Sequence, residues 1–184
     1  MPLWEPRRRS ATFARGMSLF APPPQPEDPA AVYLRSLCFI YHGADVLLIR
    51  SPRGADYWNA IGGRINRGEE PLEAAQREVW EEAGIRPALA FRGVATVIVR
   101  STGEHWAMFL FSARVADRAV VESSEGPLRW ASPGEIAILS VFPDLPYLLP
   151  HMAASGIALA KFVYATPDPR ALEVSSIQVA VYLS

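Results

Sequence analysis

The stretch Gly63-Arg-Ile-Asn-Arg-Gly-Glu-Glu-Pro-Leu-Glu-Ala-Ala-Gln-Arg-Glu-Val-Trp-Glu-Glu-Ala-Gly-Ile85 decides how the rest of the chain is read. A glycine pair, Gly62 and Gly63, opens a turn, and Glu69 closes the loop that follows. Pro71 suits the first turn of a helix, where its missing N–H costs nothing. Gly84 stands where a helix that cannot continue favours a left-handed residue. At about 100° per residue, Glu78, Glu81 and Glu82 share one arc of this helix roughly 100° wide. Leu72, Ala75, Val79 and Ala83 fall on the adjoining arc, so the helix packs on one side while its acidic edge looks into a cleft.

Carboxylates at i, i+3 and i+4 repel one another by a few tenths of a kcal/mol per exposed pair. A hard divalent cation reverses that sign, because Mg²⁺ prefers carboxylate and phosphate oxygens. Arg77 is placed to pair with Glu73 one turn back or Glu81 one turn on. An isolated R-E-x-x-E-E would read as a solvated helix face, but the glycine turn and Glu69 stand at fixed distances upstream. Together they resemble the signature of the Nudix hydrolase family, G-x5-E-x7-R-E-U-x-E-E-x-G-U, with U a bulky apolar residue. Gly63, Glu69, Arg77, Glu78, Val79, Glu81, Glu82, Gly84 and Ile85 fill every specified position.

The 184 residues suit one domain, with a core large enough to fold unaided. A net charge of −1 supplies no global basic field to hold a nucleic-acid polymer. The single cysteine, Cys38, lies in the apolar run Leu37-Cys-Phe-Ile-Tyr41 and reads as a buried small hydrophobe of a reducing, cytoplasmic compartment. No apolar run reaches the ~18 residues of a membrane span. Positive charge is carried almost wholly by arginine, with Lys161 the only lysine.

Residues 1–30 form a basic, proline-rich arm expected to be disordered, with Arg7, Arg8, Arg9 and Arg15 ahead of Ala21-Pro-Pro-Pro-Gln-Pro. The first sixteen residues also fit an organellar transit-like peptide, or untranslated sequence ahead of a start at Met17. The folded domain is expected over 31–184. Val32 to Tyr41 and Asp45 to Arg50 predict a hairpin across His42-Gly-Ala. Ala90 to Arg100 and His105 to Val115 predict a second. After the strand Leu128-Arg-Trp130, Ser132-Pro-Gly-Glu135 resembles a helix start, and a further helix is expected from about Leu145 to Ala154. Lys161 to Ala165 and Ser175 to Tyr182 predict a terminal hairpin. Strands separated by two or three helices fit an α/β class, an α/β/α sandwich around a mixed β-sheet, which is also the fold the resemblance implies.

The resemblance implies hydrolysis of a nucleoside diphosphate linked to another group, with Mg²⁺ as cofactor and Mn²⁺ as a substitute. It implies Glu78, Glu81 and Glu82 as metal ligands and catalytic residues, with the Gly63 carbonyl a further oxygen. Glu69 either braces the loop–helix junction or contacts metal. The general base is a signature glutamate or an acid from a later loop. Glu125 is the first candidate for that acid or for an extra metal ligand, Glu122 is the second, and a solvated loop charge is the alternative. For substrate choice, Asn59 follows Trp58, where its amide can donate to and accept from a base edge. Val141-Phe-Pro-Asp-Leu-Pro-Tyr147 puts Phe142 two residues before Asp144. These positions resemble the MutT-like oxidised-purine nucleoside triphosphatases, except that Phe142 replaces tryptophan and Leu145 a second aspartate. Phe142 can stack on a purine or sit in the core, and Asp144 can read a base or cap the helix at Leu145. The expected activity is pyrophosphohydrolysis of oxidised purine nucleoside triphosphates such as 8-oxo-dGTP. ADP-ribose, a dinucleoside polyphosphate or another nucleotide-X compound is the alternative, and a non-catalytic ligand-sensing module the third. A nucleotide is the expected partner, with no nucleic-acid polymer and no membrane, and a homodimer is left open.

Overall fold

A computed structural model describes residues 32–50, 57–173 and 176–182. The arm expected over 1–30 lies outside the described residues. Two apolar stripes of opposite parity run along β1 (Val32–His42), and that alternation requires both faces of its sheet to be covered. Leu37, Phe39 and Tyr41 point to one core, and Cys38 and Ile40 to another. Beside β1 run β2 (Asp45–Arg50), β3 (Trp58–Ala60), β4 (Ala90–Val99), β5 (His105–Arg114), β7 (Ile157–Tyr164) and β8 (Gln178–Tyr182). Their order is β3-β2-β1-β5-β4-β7-β8, and β6 (Leu128–Ala131) pairs with β2 off this path. The β1–β5 and β4–β7 pairs are parallel and the others antiparallel, so the sheet is mixed.

One helix, α1 (Pro71–Ala83), buries Ala75, Val79 and Ala83 against Cys38, Ile40 and Ile61 on one face. On the other face α3 (Leu145–Met152) buries Leu145, Leu148 and Met152 against Phe39, Leu110 and Phe162. A single-turn helix, α2 (Pro133–Ile136), starts at a capping box in which Ser132 and Glu135 exchange hydrogen bonds. The layering is the expected α/β/α sandwich.

The departures are local. Strand β7 begins at Ile157 rather than Lys161, and its antiparallel pairing with β8 uses Ile157 to Lys161. On its other edge β7 pairs with β4 from Ala158 to Tyr164, and Tyr164 bridges Leu172, because a 3-10 turn at Pro169–Ala171 folds the connection back onto the strand. Ser175 lies outside the described residues. Helix α3 ends at Met152.

For the site, the important feature is a wedge between β1 and β2. These strands pair only next to their turn, at Tyr41 with Val46 and His42 with Asp45. Beyond it the glycine segment fills the gap. Cys38 N–H donates to the Ile61 carbonyl at 2.7 Å, Ser36 N–H to Gly63 at 2.9 Å, and Ile65 N–H to Leu34 at 3.0 Å. Backbone bonding thus fixes Gly62 and Gly63 under α1. Leu148 is fully buried, and Leu148→Ala is expected to cost roughly 2–5 kcal/mol, measured by urea denaturation.

Candidate active site

The acidic helix is held by one arginine. Arg77 Nε donates to Glu69 Oε1 at 2.7 Å, and Nη2 donates to Glu69 Oε2 at 2.9 Å and to the Arg64 carbonyl at 3.0 Å. Its Nη1 donates to Glu78 at 2.8 Å and Glu81 at 2.9 Å. Every N–H of the guanidinium is therefore used. The expected Arg77–Glu73 pair does not form. Glu73 instead accepts from the Glu70 N–H at the helix start, which removes it from reach. Glu69 also accepts from the Asn66 N–H at 2.9 Å, so it braces the loop–helix junction. The Arg77 guanidinium, followed by that N–H, holds the Glu69 carboxyl down at about 2.

Both signature glycines answer a physical demand. Gly84 closes α1 at φ 67°, a left-handed conformation that costs glycine least. At Gly63 a Cβ would stand 2.2 Å from Glu78 Oε1, so only hydrogen leaves room for the carboxylate. The Gly63 carbonyl accepts from Ser36 N–H and keeps its second lone pair.

Glu78, Glu81, Glu82, Glu125, Gly62 and Gly63 line one cavity of about 630 Å³. Glu82 is buried at 7% exposure and accepts from the Gly62 N–H at 3.1 Å. Burial, then the neighbouring Glu78 and Glu125, push it up to about 8. Burial likewise raises Glu78, against the pull of Arg77. Glu125 reaches the cavity from a loop anchored on β2, where Arg50 N–H donates to Pro127 and Gly126 lies against the Arg50 carbonyl. Glu122, the second candidate, instead accepts from Leu128 N–H at 3.2 Å.

These carboxylates suit a divalent cation. Only oxygen ligands are offered, the set Mg²⁺ and Mn²⁺ favour. Burial, and then the neighbouring acids, also disfavour the charged form of Glu82, a penalty that a cation would offset. Among the described residues no three acids, histidines or cysteines stand close enough together to hold a metal ion as they are. Arg77 meanwhile holds Glu78 and Glu81. Cys38 is buried as expected, its thiol pushed up by burial and then by Glu82 and Glu78.

A second cavity of about 220 Å³ adjoins the first, sharing Arg35, Asn59, Trp106 and Phe142. Asn59, Phe142 and Asp144 all line it. Backbone pairing brings the first two together, since Phe142 N–H donates to the Trp58 carbonyl at 2.9 Å and Val141 bridges Trp58. The structure narrows the expectation for Asn59. Its Oδ1 already accepts from Ala60 N–H at 2.8 Å, leaving the NH₂ as a donor. Phe142 is half-buried in the cavity wall and tilts against Tyr57, with ring centroids 5.7 Å apart. Asp144 occupies the N-cap position of α3, but its side chain makes no capping hydrogen bond. It is buried, and burial lifts it to about 6.

Sequence reading missed Arg35, Trp106 and Tyr164. The parallel pairing of β1 with β5 sets Tyr33 opposite Trp106. Their ring centroids are 4.6 Å apart, and the Arg35 guanidinium lies 5.7 Å from the Trp106 ring. The alternation of Trp106 and Met108 along β5 was a visible signal, but its partner strand was not.

Comparison with known proteins places this geometry. The NUDIX domain pattern matches residues 34–152. The uncharacterized Nudix hydrolase YvcI of Bacillus subtilis (strain 168) is 34% identical over 140 residues, 71% of this chain and 85% of its own. Another Bacillus subtilis (strain 168) protein, provisionally named an 8-oxo-dGTP diphosphatase, is 30% identical over 97 residues, 52% of this chain and 63% of its own. Among solved structures, the MutT protein of Bacillus halodurans superposes with a TM-score of 0.68 at 27% identity, covering 80% of this chain and 97% of that one.

Glu82→Gln should lower turnover by several orders of magnitude with the fold intact, because the cleft loses a carboxylate that would hold a divalent cation. The same change should stabilise the metal-free protein in a pH-dependent way. Glu82 is raised from 4.5 to about 8 in the fold, so between those values the unfolded chain sheds a proton that the native state keeps. Wild-type stability therefore falls as pH rises through that window, whereas glutamine does not titrate. Urea denaturation in EDTA should show a gain on the order of 2–4 kcal/mol near pH 8, absent near pH 4. An equal difference at both would contradict this.

Proposed function

The chain belongs to the Nudix hydrolase family, and we propose that it is a divalent-metal-dependent nucleotide pyrophosphohydrolase acting on oxidised purine nucleoside triphosphates such as 8-oxo-dGTP. Water and the triphosphate would yield the nucleoside monophosphate and pyrophosphate. The observation that carries this reading is the meeting of Asn59, Phe142 and Asp144 in one cavity that opens into the acid-lined cleft. A base in the smaller cavity leaves its phosphates beside Glu78, Glu81, Glu82 and Glu125.

Glu78, Glu81 and Glu82, with Glu125 and the Gly63 carbonyl, are the residues that would hold Mg²⁺ or Mn²⁺. When bound, such an ion offsets phosphate charge and lowers the pKa of a coordinated water. The rest is the work of the chain's own side chains. Arg77 fixes Glu78 and Glu81 against rotation. Glu125, which lines the same cavity from a loop outside α1, would take a proton from the attacking water. Arg35 lies where the two cavities meet, within reach of both phosphate and base.

On the recognition side, Phe142 offers a stacking face worth ~1–3 kcal/mol per base. The Asn59 NH₂ donates to a base acceptor. Asp144, held near 6 by burial, presents a donor when protonated and an acceptor when charged. An oxidised purine gains a carbonyl and an N–H where the ordinary base has a C–H and a lone pair, so hydrogen-bonding groups here can tell the two apart.

Hydrolysis of 8-oxo-dGTP, dGTP, ADP-ribose and diadenosine tetraphosphate should be measured side by side. The 8-oxo-dGTP turnover should be the highest, and Asp144→Asn should change its ratio to dGTP roughly tenfold while altering dGTP turnover little. Equal or better turnover of ADP-ribose would remove this substrate reading, and an unaltered ratio would return Asp144 to a structural role.

A further inference from the structure

Beneath Asp144 lies a tyrosine that the proposed chemistry has not used. Tyr164 ends β7 and is 6% exposed. Its hydroxyl is sealed from solvent and lies close enough to Asp144 to favour that carboxyl's charged form. Even so, it completes no hydrogen bond of good geometry with any described residue. A buried hydroxyl left in that condition is costly, and such groups mark sites where another arrangement satisfies them. Tyr164 also lines the smaller cavity, together with Asp144, Asn59 and Phe142.

We propose that Tyr164 is a positioning residue whose hydroxyl donates to the inner oxygen of Asp144 once a base is bound, so that the outer oxygen faces the cavity and reads the base edge. This rests on the assignment of the smaller cavity to the base. For a tyrosine O–H that donates, the better acceptor on a protonated carboxyl is the oxygen that bears no proton. With Tyr164 donating to the inner oxygen, the proton of a protonated Asp144 sits on the outer oxygen, which becomes a donor aimed at a ligand carbonyl. When Asp144 is charged, the outer oxygen becomes an acceptor for a ligand N–H. One buried hydroxyl thus favours one arrangement of a carboxyl that could otherwise turn either oxygen to the ligand.

The other charged groups facing the cavity are Arg35 from β1 and Glu104 from the β4–β5 turn, while Val97, Val99, Trp106 and Met108 are neutral walls. Tyr164 adds the hydroxyl from β7. The nearby hydroxyl opposes the effect of burial on Asp144, so removing it should drive Asp144 further toward the protonated form.

Tyr164→Phe keeps the ring and deletes only the hydroxyl. In the full chain, a carbon-13 NMR titration of the Asp144 carboxyl should show its midpoint moving to higher pH in Tyr164→Phe. The kcat/KM ratio for 8-oxo-dGTP over dGTP should change roughly tenfold, mainly through KM, and its pH dependence should move in the same direction. In the Asp144→Asn background, Tyr164→Phe should change the ratio no further. An unmoved midpoint overturns the coupling of the two groups. A moved midpoint with an unchanged ratio overturns the assignment of this cavity to the base. A further change in the Asp144→Asn background would show Tyr164 acting independently of Asp144.

Discussion

The rest of the site depends on the Arg77 guanidinium. Its N–H groups are divided between the loop before the helix, through Glu69 and the Arg64 carbonyl, and the helix itself, through Glu78 and Glu81. Lysine could not replace it, because a single ammonium lacks the planar fork that serves acceptors on both sides at once. The clamp keeps two acids beside Gly63 despite their mutual repulsion. Glu82, outside its reach, is held by one backbone N–H, while burial and then Glu78 and Glu125 push its carboxyl up to about 8 against that bond. The site accepts an unstable arrangement of charge, as is usual where function requires strain.

Around that constraint the molecule divides its work. The acidic cleft is assembled from α1 and the glycine segment wedged between β1 and β2. The smaller cavity is assembled from β1, β4, β5, β7 and the segment leading into α3. In the proposed reading, phosphate chemistry stays constant on the first set while the second varies with the base. Arg35 and Trp106 line both cavities, and Tyr33 and Arg35 both lie against the Trp106 ring in that common wall.

Much of this was legible in the chain because it is local. Pro71 in the first turn of α1, the left-handed Gly84, the bracing role of Glu69 and the Ser132–Glu135 box all depend on neighbours within one or two helical turns. The layered α/β/α arrangement followed from alternating strands and helices. What was hidden depends on pairing at long range. Arg77 chose Glu69 and Glu78 over Glu73 because the loop folds back onto the helix. Trp106 enters the site only because β5 lies parallel to β1, and Tyr164 only because β7 lies beside β4. The extent of β7 was underestimated because Ile157 to Ala160 carries no turn signal of its own, and its partner is the distant β8.

The central claim is that one bound nucleotide spans both cavities. The most direct measurement is a crystal structure of the Glu82→Gln protein with 8-oxo-dGTP and Mg²⁺. The account predicts the base against Phe142, its edge on Asp144 and the Asn59 NH₂, and its phosphates beside Glu78 and Glu81. A base seated outside the cavity lined by Phe142 and Asp144, with phosphates still at the acidic helix, would contradict it.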